Sequence, residues 1–521
     1  MWPFSRKLRA EHDSERVAPK VDSKRAVRFR GAVGRGFAGA KVTDITSSMA
    51  RTPRPFDGDL RRALNVLRAR SREEYQSNDY AKRAVSVIKQ NVVGHHGIRL
   101  QADPRRQNGN KDKPAAETLE KGWIGWGRRG SPEVTRRLSW IDIQNLCVHS
   151  IVVDGEAILV EHDTWNGNQW GYALEFVDPF LLDTELNEDL KDGRKIRMGV
   201  ELDRFNGPIA YHFLEHDPTQ DDYRMQFQRK HRRIPAERVL HIYLPEAVWQ
   251  TRGVPILATA LLSFNMFRGY AEAELVAART AASKMGFFID APDGQGYKGE
   301  KLEDGESYVE AAEPGQFPRL PHGVAFEQWD PQHPTSAYKD YAKAVLRGAA
   351  SGLNVPYNTM ANDLEGVTFS SLRQGNMDAH DGWRCFQTLI IDTLMDFAYR
   401  GWLRQSLLRE VLEIRPGSPL NSARLEKYQA VKWNPRTWDH VQPREQEMAN
   451  QLKLNNGTHS VPELIRQRGR EPEDVVQEMA EWQEMLAAAN VTLPTAPGGS
   501  NETEDSETDG DSEATDTPSN G

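Results

Sequence analysis

The chain has 521 residues, 38% of them hydrophobic and 27% charged, too long for one ordinary core and too polar to be globular throughout. Its formal charge of −8 hides an asymmetry: residues 1–54 carry 13 Lys or Arg against 5 Asp or Glu, whereas the segment from Pro497 onward holds eight acids and no Lys or Arg. A basic flexible arm (1–54) and an acidic, Ser/Thr-rich disordered tail (495–521) are therefore expected, because neither can bury enough apolar surface to fold alone.

Cys147 and Cys385 lie far apart in the sequence. They exclude a disulfide framework or a thiolate zinc site and fit synthesis in a reducing cytoplasm. The longest uncharged stretches, such as Val254 to Phe267, fall short of the roughly 20 residues that span a bilayer, and no apolar signal core opens the chain. Neither membrane insertion nor secretion is expected. Within the arm, Gly34-Arg35-Gly36-Phe37-Ala38-Gly39 has the GxGxxG spacing. Without a hydrophobic strand before it and an amphipathic helix after it, it reads as a linker and not as a dinucleotide site.

Beyond the Pro-punctuated boundary at Thr52-Pro53-Arg54-Pro55, apolar residues from Asp59 to Val93 (Leu60, Leu64, Leu67, Tyr75, Tyr80, Val85, Ile88) recur at helical spacing, predicting one or two helices ending at Gly94. From Leu138 to Tyr243 the texture is short β-branched and aromatic runs, among them Ile151-Val152-Val153, Ala157-Ile158-Leu159-Val160 and Val239-Leu240-His241-Ile242-Tyr243. Asn166-Gly167 and Asn206-Gly207 supply the positive φ of tight hairpins, so neighbouring strands are expected to be antiparallel and residues 55–250 to form an α+β unit.

Residues 251–285 hold a long helix from Pro255 to about Met285. Ala271, Leu275, Ala278 and Ala282 place mostly small side chains on one face, where another helix can approach closely. Residues 286–335 are a Gly/Pro-rich insert with two strands, Gly286-Phe287-Phe288-Ile289 and Val324-Ala325-Phe326, and a helix returns over 336–353. The loop of 354–368 leads into a long helix within 369–440, with Trp383, Phe386, Ile390, Leu394 and Phe397 along one face, and 441–494 is polar and helical.

No GxxxxGK[ST], HExxH or CxxC occurs, and His95-His96 are adjacent instead of one helical turn apart. Asp154 and Glu156, near Glu161-His162-Asp163, read as charges on a strand face, with a two-metal nuclease site as the lesser alternative. No catalytic residue, metal or cofactor is expected.

One set of phrases does recur in a known order. It comprises Ala63 to Arg72, Asn78-Asp79-Tyr80-Ala81, Asn91-Val92-Val93-Gly94 and Val153-Asp154-Gly155-Glu156, then Arg233 to His241, Arg252-Gly253-Val254-Pro255, Gly352 to Tyr357 and Phe369 to Arg373. In this the chain resembles the lambda-like phage portal family, departing from it at Val441-Gln442-Pro443, where that family has Asp-Pro. The resemblance implies a non-enzymatic dodecameric ring at one capsid vertex of the virion. Its wing would be 55–250 and 369–440, its stem 251–285 and 336–353, its clip 286–335, its tunnel loop 354–368 and its crown 441–494. The implied partners are double-stranded DNA passing without sequence readout, the large terminase subunit, head-completion and tail-connector proteins, and the major capsid protein or scaffold.

The stem face Ala271, Leu275, Ala278 and Ala282 would pack subunits together, as a closed heterologous ring requires. Asn354 to Val367 contains no Lys or Arg, only Asp363 and Glu365 as charges, and Asn358, Thr359 and Asn362 as weak hydrogen-bonding groups. That composition suits a loop past which DNA slides. The rival readings are a packaging ATPase or nuclease, and another oligomeric head or baseplate component.

Overall fold

The computed structural model describes residues 50, 52–215, 230–282, 286–290, 324–328, 337–438, 443–467 and 472–490. The GxGxxG run, nearly all of the basic arm, the acidic tail and most of 286–335 lie outside them. The chain divides into two units, residues 1–365 with 379–434, and 366–378 with 435–521.

In the first unit, α1 (Phe56–Ser77) opens with Asp57 and Asp59, acids suited to the positive end of the helix dipole. Its buried row is Leu60, Leu64, Arg68, Ser71 and Glu74, apolar at the start and polar at the end. Asn78 ends the run, its Oδ1 accepting from the N–H of Tyr80 and Ala81 at 3.0 and 3.2 Å to cap α2 (Asp79–Val92). After β1 (Arg99–Ala102) come α3 (Lys113–Trp126) and α4 (Trp140–Asp154).

Helix α4 overturns one expectation, since Ile151-Val152-Val153 form its last turns and not a strand. Ser139 and Asp142 make a reciprocal capping box at its start, and Gly155, at φ +92°, ends it. Its outward strip carries the apolar Ile141 and Leu146 beside Asp142, Asn145 and His149, while its buried side includes Gln144, Ser150 and Asp154, so the hydrophobic pattern shows no helical period.

Strands β2 (Glu156–Asp163), β3 (Tyr172–Val177) and β9 (Val239–Tyr243) form an antiparallel sheet in the order β3-β2-β9. A second antiparallel sheet runs in sequence order through β4 (Glu188–Asp189), β5 (Lys195–Arg197), β6 (Val200–Leu202), β7 (Pro208–Leu214) and β8 (His231–Pro235). Ile158, Val160 and Val177 of the first sheet share one core with Val200, Tyr211, Phe213 and Ile234 of the second. Asn206 adopts φ +68° in the β6–β7 hairpin as expected, but in the β2–β3 connection the positive φ falls on Thr164 and Gly171 and not on Asn166-Gly167.

The segment after Pro255 begins with a 3₁₀ turn (Ile256–Thr259) before α5 (Leu261–Ala282), so the long helix starts later than its proline suggests. Strands β10 (Gly286–Asp290) and β11 (Val324–Gln328) pair antiparallel, with Phe288 opposite Phe326. Next come α6 (Ala337–Gly352), α7 (Tyr357–Ala361) and α8 (Phe369–Ile390), which continues through a π turn (Ile391–Met395) into α9 (Asp396–Leu408). Trp383, Phe386, Ile390 and Leu394 are buried as expected, but Phe397 is only half-buried. The π turn inserts extra backbone and rotates the inward face, so Ala398, Tyr399 and Trp402 take over.

Trp123 and Trp126 of α3, Trp140 of α4, and Tyr399 and Trp402 of α9 form an aromatic core with neighbouring centroids 4.7–5.7 Å apart. After β12 (Glu413–Arg415), β13 (Ser418–Pro419) and α10 (Leu425–Tyr428), β14 (Val431–Asn434) pairs with β1 and ties the late chain to the early chain. The second unit includes the helices α11 (Pro443–Asn455), α12 (Val461–Gln467) and α13 (Pro472–Ala489).

Candidate functional site

Three phrases distant in sequence converge at the root of α5. Glu156, fully buried at the start of β2, accepts from Arg68 Nη2 at 2.6 Å, from Arg252 Nε and Nη2 at 2.9 and 2.5 Å, and from the Gly253 N–H at 2.9 Å. These arginine contacts fall on Oε1, whereas His241 Nε2 lies 2.9 Å from Oε2, the oxygen that accepts from Gly253. Burial alone would raise this carboxyl, but Arg252, Arg68 and His241 outweigh it and hold Glu156 well below the usual carboxylate range.

The two buried guanidiniums spend their remaining donors on carbonyls: Arg68 on Asp154 and Pro179, Arg252 on Leu182, Met198 and Pro179. Arg72 then holds Asp154 and Asp178 at 2.6 and 2.7 Å. A Cβ on Gly155 would sit 2.6–2.7 Å from the backbone of Gly253, Val254 and Pro255, so only glycine permits this crossing.

This geometry corrects the reading of Asp154 and Glu156 as neighbours on one strand face. Asp154 ends a helix, Glu156 starts a strand, and both carboxylates are engaged by arginines. Among the described residues no group of three or more His, Cys, Asp or Glu is placed to hold a metal ion.

Helices α5 and α6 pair as a hairpin through Tyr270, which stacks on Tyr338 at 5.7 Å and meets Tyr341 edge-on at 4.9 Å. Ala271 and Ala278 are half-buried and Leu275 is exposed, while the side chain of Ala282 lies outside the described residues. A second row, Leu262, Met266, Gly269, Ala273 and Val276, is exposed along its whole length. Its steps of four and three residues are those of a helix-packing seam. Ala273 and Val276 stand two residues from Ala271 and Ala278, about 200° around the helix, so this seam lies on nearly the opposite side. It was legible at the same period but was passed over for smaller side chains.

The loop after α6 is partly helical. Val355 and Met360 are buried, α7 ends at Asn362 with φ +52°, and Arg83 Nε donates to the Thr359 carbonyl at 3.3 Å. Asn358 and Thr359 are half-buried and Asn362 is exposed. Asp363 accepts from Tyr357 Oη at 2.9 Å and pairs with Lys343 at 3.2 Å, and Glu365 lies 2.7 Å from Lys339 and 3.4 Å from Lys343. The Tyr357 hydroxyl, then the Glu365 N–H and Lys343, hold Asp363 below its usual range, as Lys339 and Lys343 do Glu365. Lys339, Lys343 and Arg347 recur every four residues on α6, a basic row the sequence displayed but the reading of the loop in isolation missed.

The fold is an α+β body with a helical hairpin rooted in a buried ionic junction. The family described as "Phage portal protein, lambda family" matches residues 43–387. The chain is 31% identical over 473 residues to the "Probable portal protein" of Halomonas phage phiHAP-1, covering 89% of this chain and 90% of that one. It is 21% identical over 387 residues to "Portal protein B" of Escherichia phage lambda, covering 66% and 69%. Among solved structures, a chain from "Neck of native GTA particle computed with C12 symmetry" aligns over 79% of this chain and 94% of that one, at 12% identity and a TM-score of 0.40. The chain belongs to the lambda family of phage portal proteins.

Proposed function

We propose that copies of this chain close into a dodecameric ring at one vertex of the capsid, assembled in the host cytoplasm. Double-stranded DNA passes along the ring axis, inward when the large terminase subunit packages the genome and outward at ejection. Head-completion and tail-connector proteins attach to the ring, and the major capsid protein or scaffold surrounds it. The chain is a conduit and not an enzyme. Wing (55–250, 369–440), stem (251–285, 336–353), clip (286–335), tunnel loop (354–368) and crown (441–494) divide this work.

The observation that carries the ring is the exposed seam of α5, where Leu262, Met266 and Val276 are 71%, 60% and 55% exposed. A lone copy leaves this row in water, and a rotated neighbour covers it. Ala271, Leu275, Ala278 and Ala282 keep the other flank of the helix narrow enough for close approach. In the channel, Asn358, Thr359, Asn362, Asp363 and Glu365 face the duplex. The two acids neutralise Lys339 and Lys343, so that the wall presents little net charge for phosphates to grip. Capsids assembled without this chain should contain no nuclease-protected DNA, and supplying it should restore protection. Full protection in its absence would overturn the proposal.

A further inference from the structure

Among the described residues, the two most exposed large apolar side chains are neighbours: Val248 at 81% and Trp249 at 75%. They sit between β9 and the root of α5, at the centre of a turn closed by the Gln250 N–H donating to the Ala247 carbonyl at 3.4 Å. Trp249 has φ +62° in the third position of that turn, a left-handed conformation that Gly or Asn enters easily and a large side chain enters under strain.

The turn is held in that shape from several sides. The buried Gln250 side chain accepts from the N–H of Glu246 and Ala247 at 2.7 and 3.1 Å and donates to the Arg252 carbonyl at 2.8 Å. Tyr243 Oη of β9 donates to the Gln250 carbonyl at 2.7 Å, and Thr251 donates through its N–H and hydroxyl to Asp57 of α1 at 3.1 and 2.5 Å. A flexible loop would fold its tryptophan back onto the protein. This one is fixed with valine and tryptophan outward, which gives a lone copy nothing.

A rigid, pre-ordered aromatic is the kind of side chain that dominates protein interfaces, because little freedom is lost when it is covered. The segment that carries it runs directly through Arg252 and Gly253 into α5, and therefore into the exposed seam that begins at Leu262. Whatever covers that seam lies along the same rigid root. A convex knob is not self-complementary, and a closed heterologous ring is the arrangement in which each copy offers one face to the next copy's different face.

We propose that Val248–Trp249 is the anchor by which one copy grips the next copy of this chain, an inference that rests on the ring reading above. The informative variant is Trp249→Gly in the full-length chain, because glycine removes the knob and relieves the backbone strain together. Its monomer should melt no lower than the wild-type monomer, yet its rings should dissociate at a protein concentration at least about tenfold higher, as expected for loss of an interface anchor. Val248→Ser should weaken rings in the same direction, and Trp249→Phe should recover part of the loss. Rings of Trp249→Gly as stable as wild type would overturn the anchor and leave the ring reading standing, as would a glycine variant whose monomer itself is destabilised. A wild-type chain that stays monomeric at micromolar concentration would overturn both.

Discussion

Among the places in the first unit where carboxylates meet basic side chains, the root of α5 and the edge of α6 are opposites. At the root of α5, Glu156 and the guanidiniums of Arg68 and Arg252 are fully buried, and each remaining donor that the arginines use goes to a carbonyl. Beside α6, Glu365 and Lys339 are 62% and 60% exposed and can exchange each other for water, salt or a phosphate. The same chemistry is a fixed joint where water is excluded and a changeable contact where it is not. The proposed conduit would use both: a root that does not shift under load and, if 354–368 lines its channel as proposed, a wall that does not hold what passes.

The contrast breaks most visibly at Glu156. Glu156→Ala leaves two buried guanidiniums without their counterion and should lower unfolding free energy by about 3–5 kcal/mol, read from urea titration. The corresponding change outside, Glu365→Ala, should leave the melting temperature unchanged. Equal effects would dissolve the distinction.

Acid should sharpen it. Glu156 is held below its unfolded pKa, so its contribution is complete above about pH 4.3 and disappears as pH falls through the folded value. His149, edge-on to Tyr75 at 4.6 Å, acts sooner: burial, then Lys89 and Arg72, push it down to about 4. The unfolded chain therefore takes up its proton from about pH 6.5 downward while the folded chain does not, and stability declines between those values. Melting temperature measured from pH 7 to 4 should fall across this window, and His149→Gln should flatten the upper part of the fall.

The smallest structural change should have its effect on DNA alone. Asp363→Asn with Glu365→Gln unmasks Lys339 and Lys343, and Asn362→Lys adds a cation beside them. Both variants should fold and assemble normally but package DNA slowly, with the defect eased by salt, because each added phosphate contact is weakened by counterions. Normal packaging at low salt by both would remove this loop from the path of DNA.

How much of this was legible depended on burial. Leu60 and Leu64 announce α1 because that helix has one wet and one dry side, and Asn206-Gly207 announces a hairpin because the turn needs positive φ. Helix α4 does not announce itself, because apolar Ile141 and Leu146 lie on its outward strip and polar Gln144, Ser150 and Asp154 on its buried side, which erases the period that separates Ile-Val-Val in a helix from the same run in a strand. The junction was present as separate phrases around Arg68, Glu156 and Arg252. Their meeting is a tertiary fact about residues 88 to 96 positions apart, which no local pattern records. Phe397 was misassigned because the π turn changes the count of residues per turn without marking the sequence.

The central claim is that the buried root and the exposed seam of α5 serve a closed ring. Native mass measurement of the purified full-length chain, paired with rotational averaging of its particle images, tests it most directly. A single assembly of about twelve copies with an open axis is the predicted result for a closed heterologous ring. A monomer or an open-ended filament at micromolar concentration would contradict it.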